Sequence, residues 1–164
     1  IMRWLGDMTS VFALGKTAIS HRVDAEKRRI PMPIPDHIDI LGHFAQGGQM
    51  RLTVSTVIGL SPTEVDLFIF GTKGTLRILQ TKDTEIELFA GDKNAKQLER
   101  IMIEPEKKGK WRVEEEFVNA IRGTEEITHT DFTTALKYME WTDAVTISMQ
   151  TRELVPLPLS NGMR

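Results

Sequence analysis

The chain has 164 residues, 40% of them hydrophobic and 27% charged, with a formal net charge of -2. That is enough chain for one domain with a real core, and a composition far from that of disorder or a fibre. The charge balance excludes a broad polyanion-binding face and hence a nucleic-acid partner, and the absence of cysteine excludes disulfides and thiolate metal sites.

Ile1 to Asp7 reads as the last turn of a helix stopped by Gly6, because glycine just past a helix end takes the left-handed conformation without steric cost. A helix this short does not stand alone in water, so the expectation is a chain truncated at its amino end. From Thr9 to Phe89 apolar residues recur with period two between turn formers, the pattern of an antiparallel sheet. Val11 to Ile19 reads as the first strand. Asp24 to Pro35, with Lys27, Arg28, Arg29 and prolines at 31, 33 and 35, reads as an extended, unpaired loop or edge.

Ile38 to Phe44, the glycine-bearing turn Gln46-Gly47-Gly48-Gln49 and Met50 to Ile58 predict one hairpin. Val65 to Phe70, the turn Gly71 to Gly74 and Thr75 to Leu79 predict a second, with further strands at Glu85 to Phe89 and Ile101 to Ile103. The period then changes. Trp111 to Arg122 puts Val113, Phe117 and Ile121 on one helical face, with Glu114, Glu115 and Glu116 in a solvated first turn and Gly123 at the end. Thr130 or Asp131 can cap a second helix running to about Gln150, with Pro156 and Pro158 ending regular structure. Strands followed by helices predict an α+β domain: an open, mainly antiparallel sheet with helices on one face, occupying residues 1–164 as a single domain. Two helices cover only one face, so the other is expected to mediate self-association into a dimer or tetramer.

Chemistry-bearing side chains are few. His21 sits near Asp24 and the basic cluster, where a carboxylate or phosphate can be held; a solvated loop is the competing account. His37, Asp39 and His43 share strand parity, and His37 with Asp39 has a spacing that can hold a metal, although a wet sheet surface explains them more simply, so no metal site is assigned. Gly71 to Thr75 lacks phosphate-loop spacing, and Gly47-Gly48 is no dinucleotide fingerprint, so the chain is expected to bind neither NAD nor NADP. The candidate substrate-binding residues are therefore His21, Arg28, Arg29 and His37, with no catalytic or cofactor residue. No stretch reaches the roughly 20 apolar residues of a membrane helix and no signal peptide is evident, so the chain reads as cytoplasmic.

Arg3-Trp4-Leu5-Gly6-Asp7, Asp36-His37-Ile38, the hairpin Ile69 to Arg77, the helix Trp111 to Gly123 and the closing Ala144 to Leu159, taken in order, resemble the carboxy-terminal domain of the Gfo/Idh/MocA oxidoreductases, the glucose-fructose oxidoreductase and inositol dehydrogenase group. The resemblance implies a dihydrodipicolinate-reductase-like sheet domain and a parent enzyme whose separate Rossmann domain, absent here, binds NAD or NADP. It also implies hydride transfer on a sugar, cyclitol or related small molecule. The family's lysine motif and aspartate-to-histidine motif would fall upstream of Ile1, so the chain by itself is expected to be inactive. The alternative is a non-catalytic module that uses the same sheet for scaffolding.

Overall fold

The computed structural model describes residues 1–128 and 131–160, and its chain divides into two compact units, Ile1–Val57 with Val113–Arg164 and Ile58–Arg112. In the first unit, helix α1 (Met2–Leu5) ends at Gly6 as expected, but at φ 86° and ψ -173° the residue takes an extended positive-φ conformation open to glycine rather than the left-handed helical one. Strand β1 (Met8–Lys16) pairs antiparallel with β4 (His37–Phe44), which pairs with β5 (Gln49–Ser55). The β4–β5 turn closes through the Phe44 amide donating to the Gly48 carbonyl at 3.2 Å, with Gly47 and Gly48 both at positive φ.

Alternation decides which side chains enter the core. Val11 and Ala13 on β1 and Ile40 and Phe44 on β4 are buried on one face. Helix α3 (Phe132–Thr151) lies against that face through Ala144, Val145 and Ser148, and Asp131 caps it by accepting from the Thr134 amide at 2.6 Å. Thr130, the other candidate cap, lies outside the described residues, as does His129. A short strand β10 (Val155–Pro156) adds to the outer edge of β1, giving the order β10-β1-β4-β5. Regular structure therefore continues past the helix, contrary to expectation: a proline at an edge leaves no central ladder bond unmade. The opposite face carries Phe12, Leu14 and Leu41 among His37, Asp39, His43, Arg51 and Thr53, and Leu14 and Leu41 are more than half exposed.

Two further expectations need correction. Strand β1 stops at Lys16 rather than Ile19, because the Asp36 carboxylate takes the amides of Ala18 and Ile19 at 2.7 and 2.9 Å and turns the backbone away. Beyond it the basic segment is paired, not unpaired: β2 (His21–Val23) and β3 (Arg29–Pro31) form a separate two-stranded ribbon. Its turn is closed by the Asp24 amide donating to the Arg28 carbonyl and the Lys27 amide donating to the Asp24 carbonyl, each at 3.1 Å, with Lys27 at φ 62°.

Helix α2 (Val113–Ile121) also departs from its simple reading. Glu116 is 3% exposed, and its Oε1 accepts from the Thr128 amide at 2.9 Å and hydroxyl at 2.5 Å, so it points inward instead of joining a solvated turn. The predicted apolar face of Val113, Phe117 and Ile121 is instead 48, 47 and 71% exposed.

The second unit holds an antiparallel sheet of β6 (Val65–Gly71), β7 (Gly74–Gln80), β8 (Glu87–Asp92) and β9 (Glu99–Ile101) in sequential order. Register puts Val65, Leu67, Ile69, Leu76 and Ile78 on one face. The other carries a stacked Phe68–Phe70 pair, with the Arg77 guanidinium 4.9 Å over the Phe68 ring and bound to both oxygens of Asp66 at 2.8 Å. Among the described residues the strands thus fall into sheets of four, two and four.

Candidate functional site

The four candidate residues occupy two places in the first unit. His37 lies on the open face of β4, where its Nε2 is 3.2 Å from Asp39 Oδ2 while the Thr53 hydroxyl donates to Asp39 Oδ1 at 2.6 Å. Those two bonds, Thr53's first, hold the Asp39 carboxyl below the usual carboxylate range. His43, at the far end of the same face, has Ser10 Oγ 3.3 Å from Nδ1 and Gln49 Nε2 3.4 Å from Nε2. Among the described residues no group of three or more potential ligands assembles around a metal position.

The remaining three candidates are on the ribbon. Opposite residues of an antiparallel pair share a face, so the register places His21, Val23, Arg29 and Pro31 on one side and Arg22 and Ile30 on the other. Arg28 is engaged at the turn: Nε donates to Asp24 Oδ2 at 2.8 Å and Nη2 to Glu26 Oε2 at 3.1 Å. The Arg28 amide also donates to Asp24 Oδ1, and this bond leads in lowering the Asp24 pKa. His21 has Ser20 Oγ 3.1 Å from its Nδ1. His37 is thus separated from the ribbon set by strand and sheet.

Sequence reasoning passed over Asp36, which fastens the base of the ribbon. Its carboxylate accepts from Ala18 and Ile19, its amide donates to the Lys16 carbonyl at 3.1 Å, and its carbonyl accepts from the Thr56 amide at 2.9 Å. The amide bonds from Ala18 and then Ile19 hold its carboxyl below the ordinary range. An aspartate directly before a strand, opposite the end of another, was the available signal.

A cavity of about 660 Å³ also opens in this unit, walled by Met2, Trp4, Met50, Leu52, Tyr138 and Trp141. The Trp141 indole Nε1 is buried without an acceptor among the described residues. Nearby on α3, Leu136 and Met139 are each 60% exposed. The residues lining this space bring aromatic surface and hydrogen-bond donors together, but no acid–base pair, and the dinucleotide fingerprint is absent from the sequence.

No protein-family model and no curated protein sequence matches the chain. Solved structures do. A levoglucosan dehydrogenase in complex with NADH and L-sorbose superposes with a TM-score of 0.74 at 19% identity, over 96% of this chain and 47% of that one. An NAD binding oxidoreductase from Klebsiella pneumoniae gives 0.75 at 17%, over 97% and 48%. The WlbA dehydrogenase from Bordetella pertussis, in complex with NADH and UDP-GlcNAcA, gives 0.70 at 21%, over 98% and 42%. The chain therefore spans about half the length of the structures it matches. These neighbours are NAD-binding oxidoreductases of the Gfo/Idh/MocA kind, and the fold is that of their carboxy-terminal domain, as the sequence resemblance predicts.

Proposed function

We propose that residues 1–164 act as the substrate-pocket and oligomerisation domain of an NAD(P)-dependent oxidoreductase whose substrate is a sugar, cyclitol or related small molecule. The observation that carries this reading is the fold match, which covers nearly all of this chain and under half of oxidoreductases solved with NADH. Fold alone does not fix chemistry, so the uncovered surfaces matter. The apolar stripe of α2, the exposed Leu136 and Met139 on α3 and the unsatisfied Trp141 indole are surfaces on which a further domain gains burial and an acceptor. In this reading the nicotinamide is held by a Rossmann domain outside these 164 residues. It supplies the hydride acceptor or donor, and the side chains that move protons belong to that other half. The present chain binds and orients the substrate, with His21, Arg28, Arg29 and His37 as the candidate contacts or their supports, and assembles into a dimer or tetramer through the open face of β1, β4 and β5.

Sequencing the gene upstream of Ile1, together with titration calorimetry of the 164-residue chain, tests the reading. The expected result is a Gly-x-Gly-x-x-Gly strand-turn-helix about a hundred residues upstream, and no micromolar NAD or NADP binding by the 164-residue chain. Tight cofactor binding by the 164 residues, or an upstream sequence without such a module, overturns it.

A further inference from the structure

The ribbon sorts its charges in a way that the sequence of the basic cluster does not reveal. Between His21 and Pro31 the cations are Arg22, Lys27, Arg28 and Arg29 and the anions Asp24 and Glu26, a formal +2 on a chain whose total is -2. Both carboxylates bond to Arg28, at 2.8 and 3.1 Å, so one arginine gathers the ribbon's two anions at the turn, where the three groups keep a net charge of -1. Arg22 lies on the other face with Ile30, and its charge adds a little to the lowering of the Asp36 carboxyl. Arg29 has no carboxylate partner among the described residues. It shares its face with His21 at the diagonal position, where residues of an antiparallel pair lie about 7–8 Å apart, a span that lets both side chains reach one anionic group. His21 engages Ser20 through Nδ1, which leaves Nε2 directed elsewhere. Val23 and Pro31 complete that face with apolar surface, and all four side chains are exposed.

We infer that the His21–Arg29 face of the ribbon is the specificity element of the proposed substrate site, and that it selects a sugar or cyclitol bearing a carboxylate or phosphate group. Arg29 supplies a planar pair of donors to the anion, the geometry in which a guanidinium outperforms an ammonium. His21 Nε2 adds a further bond, and the Val23 and Pro31 side chains pack on the ring's C–H surface. Arg28 is the positioning residue: its bonds close the turn and hold the Asp24 and Glu26 carboxylates there, bonded to Arg28 rather than to Arg29. Asp36 anchors the ribbon at its base through the amides of Ala18 and Ile19. This inference rests on the substrate-pocket reading given above.

The test is titration calorimetry of the 164-residue chain at low salt with glucuronate, glucose 1-phosphate, glucose and inorganic phosphate. Binding of at least one charged sugar tenfold or more tighter than glucose is expected, and the two charged probes tell carboxylate from phosphate recognition. Arg29→Ala removes that margin, Arg29→Lys retains part of it, and Lys27→Ala, at the turn tip, leaves it in place. Equal binding of charged and neutral sugars, or a margin that survives Arg29→Ala, overturns the inference while leaving the oxidoreductase reading intact. Inorganic phosphate binding as tightly as glucose 1-phosphate also overturns it, because the ring then contributes nothing. Conversely, a gene without an upstream dinucleotide module removes the oxidoreductase reading and leaves the charged-sugar preference measurable.

Discussion

Replacing Ser148 by alanine deletes one oxygen from a site where two buried backbone groups depend on it. The side chain is fully buried in α3; its Oγ accepts from the Ala13 amide at 2.9 Å and donates to the Glu153 carbonyl at 2.6 Å. Strand β10 reaches β1 only at Ser10 and Val11, so the outward amide of Ala13 has no strand partner and the hydroxyl stands in as the next rung. Leaving a buried donor or acceptor unmade costs roughly 1–3 kcal/mol each, so two such groups imply a loss of about 2–4 kcal/mol once partial relaxation is allowed. At about 2–4 °C per kcal/mol for a chain of this size, Tm should fall by roughly 5–15 °C. Urea unfolding with an unchanged slope would report the same loss as a lower midpoint, and hydrogen exchange at Ala13 should accelerate by orders of magnitude. Thr146→Ala, an exposed position on the same helix, serves as the control and should change stability by less than about 0.5 kcal/mol. A Ser148→Ala loss that small would refute the argument that the hydroxyl replaces a strand rung.

Two other outcomes follow from charge and exposure. The carboxyls of Asp24, Asp36, Asp39, Asp66 and Asp131 are all held below the usual range, with Arg28's amide, Ala18's amide, Thr53's hydroxyl, Arg77's side chain and Thr134's amide as the leading causes. A depressed folded pKa gives stability that is complete above the unfolded value of about 3.9 and is lost as pH falls through the folded value, so urea midpoints should hold from pH 7 to 5 and drop below pH 4; a flat profile to pH 2.5 contradicts these pairings. For assembly, Leu41→Glu places a charge at the centre of the open face beside Phe12 and Leu14, so light scattering at micromolar concentration should show an oligomeric wild type and a monomeric variant. A monomeric wild type defeats that surface.

Much of the architecture was legible because local pattern and tertiary role agreed. Ile38 to Phe44 alternates cleanly, Gly47-Gly48 permits the reversal, and Asp131 stands where a helix begins, so these elements emerged close to their observed bounds. What escaped depends on non-local partners. The ribbon was hidden because prolines and charges look unpaired until Asp24 and Arg28 are seen to close a turn. Glu116 looked solvated because its partner, Thr128, lies twelve residues on. At the candidate site, the basic cluster was visible but not its division of labour: nothing in Arg28-Arg29 says which arginine is spent on the scaffold. Asp36 was read only as the residue before a strand, since its amide partners belong to another segment.

The ribbon contributes no buried side chain, and from His21 to Pro31 only Asp24 is less than exposed. Its sequence is therefore uncoupled from the packing that makes Val11, Ala13 and Ile40 intolerant of change. Provided that the Asp24–Arg28 closure and the Asp36 anchor are kept, its outward positions can drift freely under mutation. The frame and the ribbon thus answer to separate constraints, so that substitutions at the ribbon's outward positions carry almost no cost in foldability.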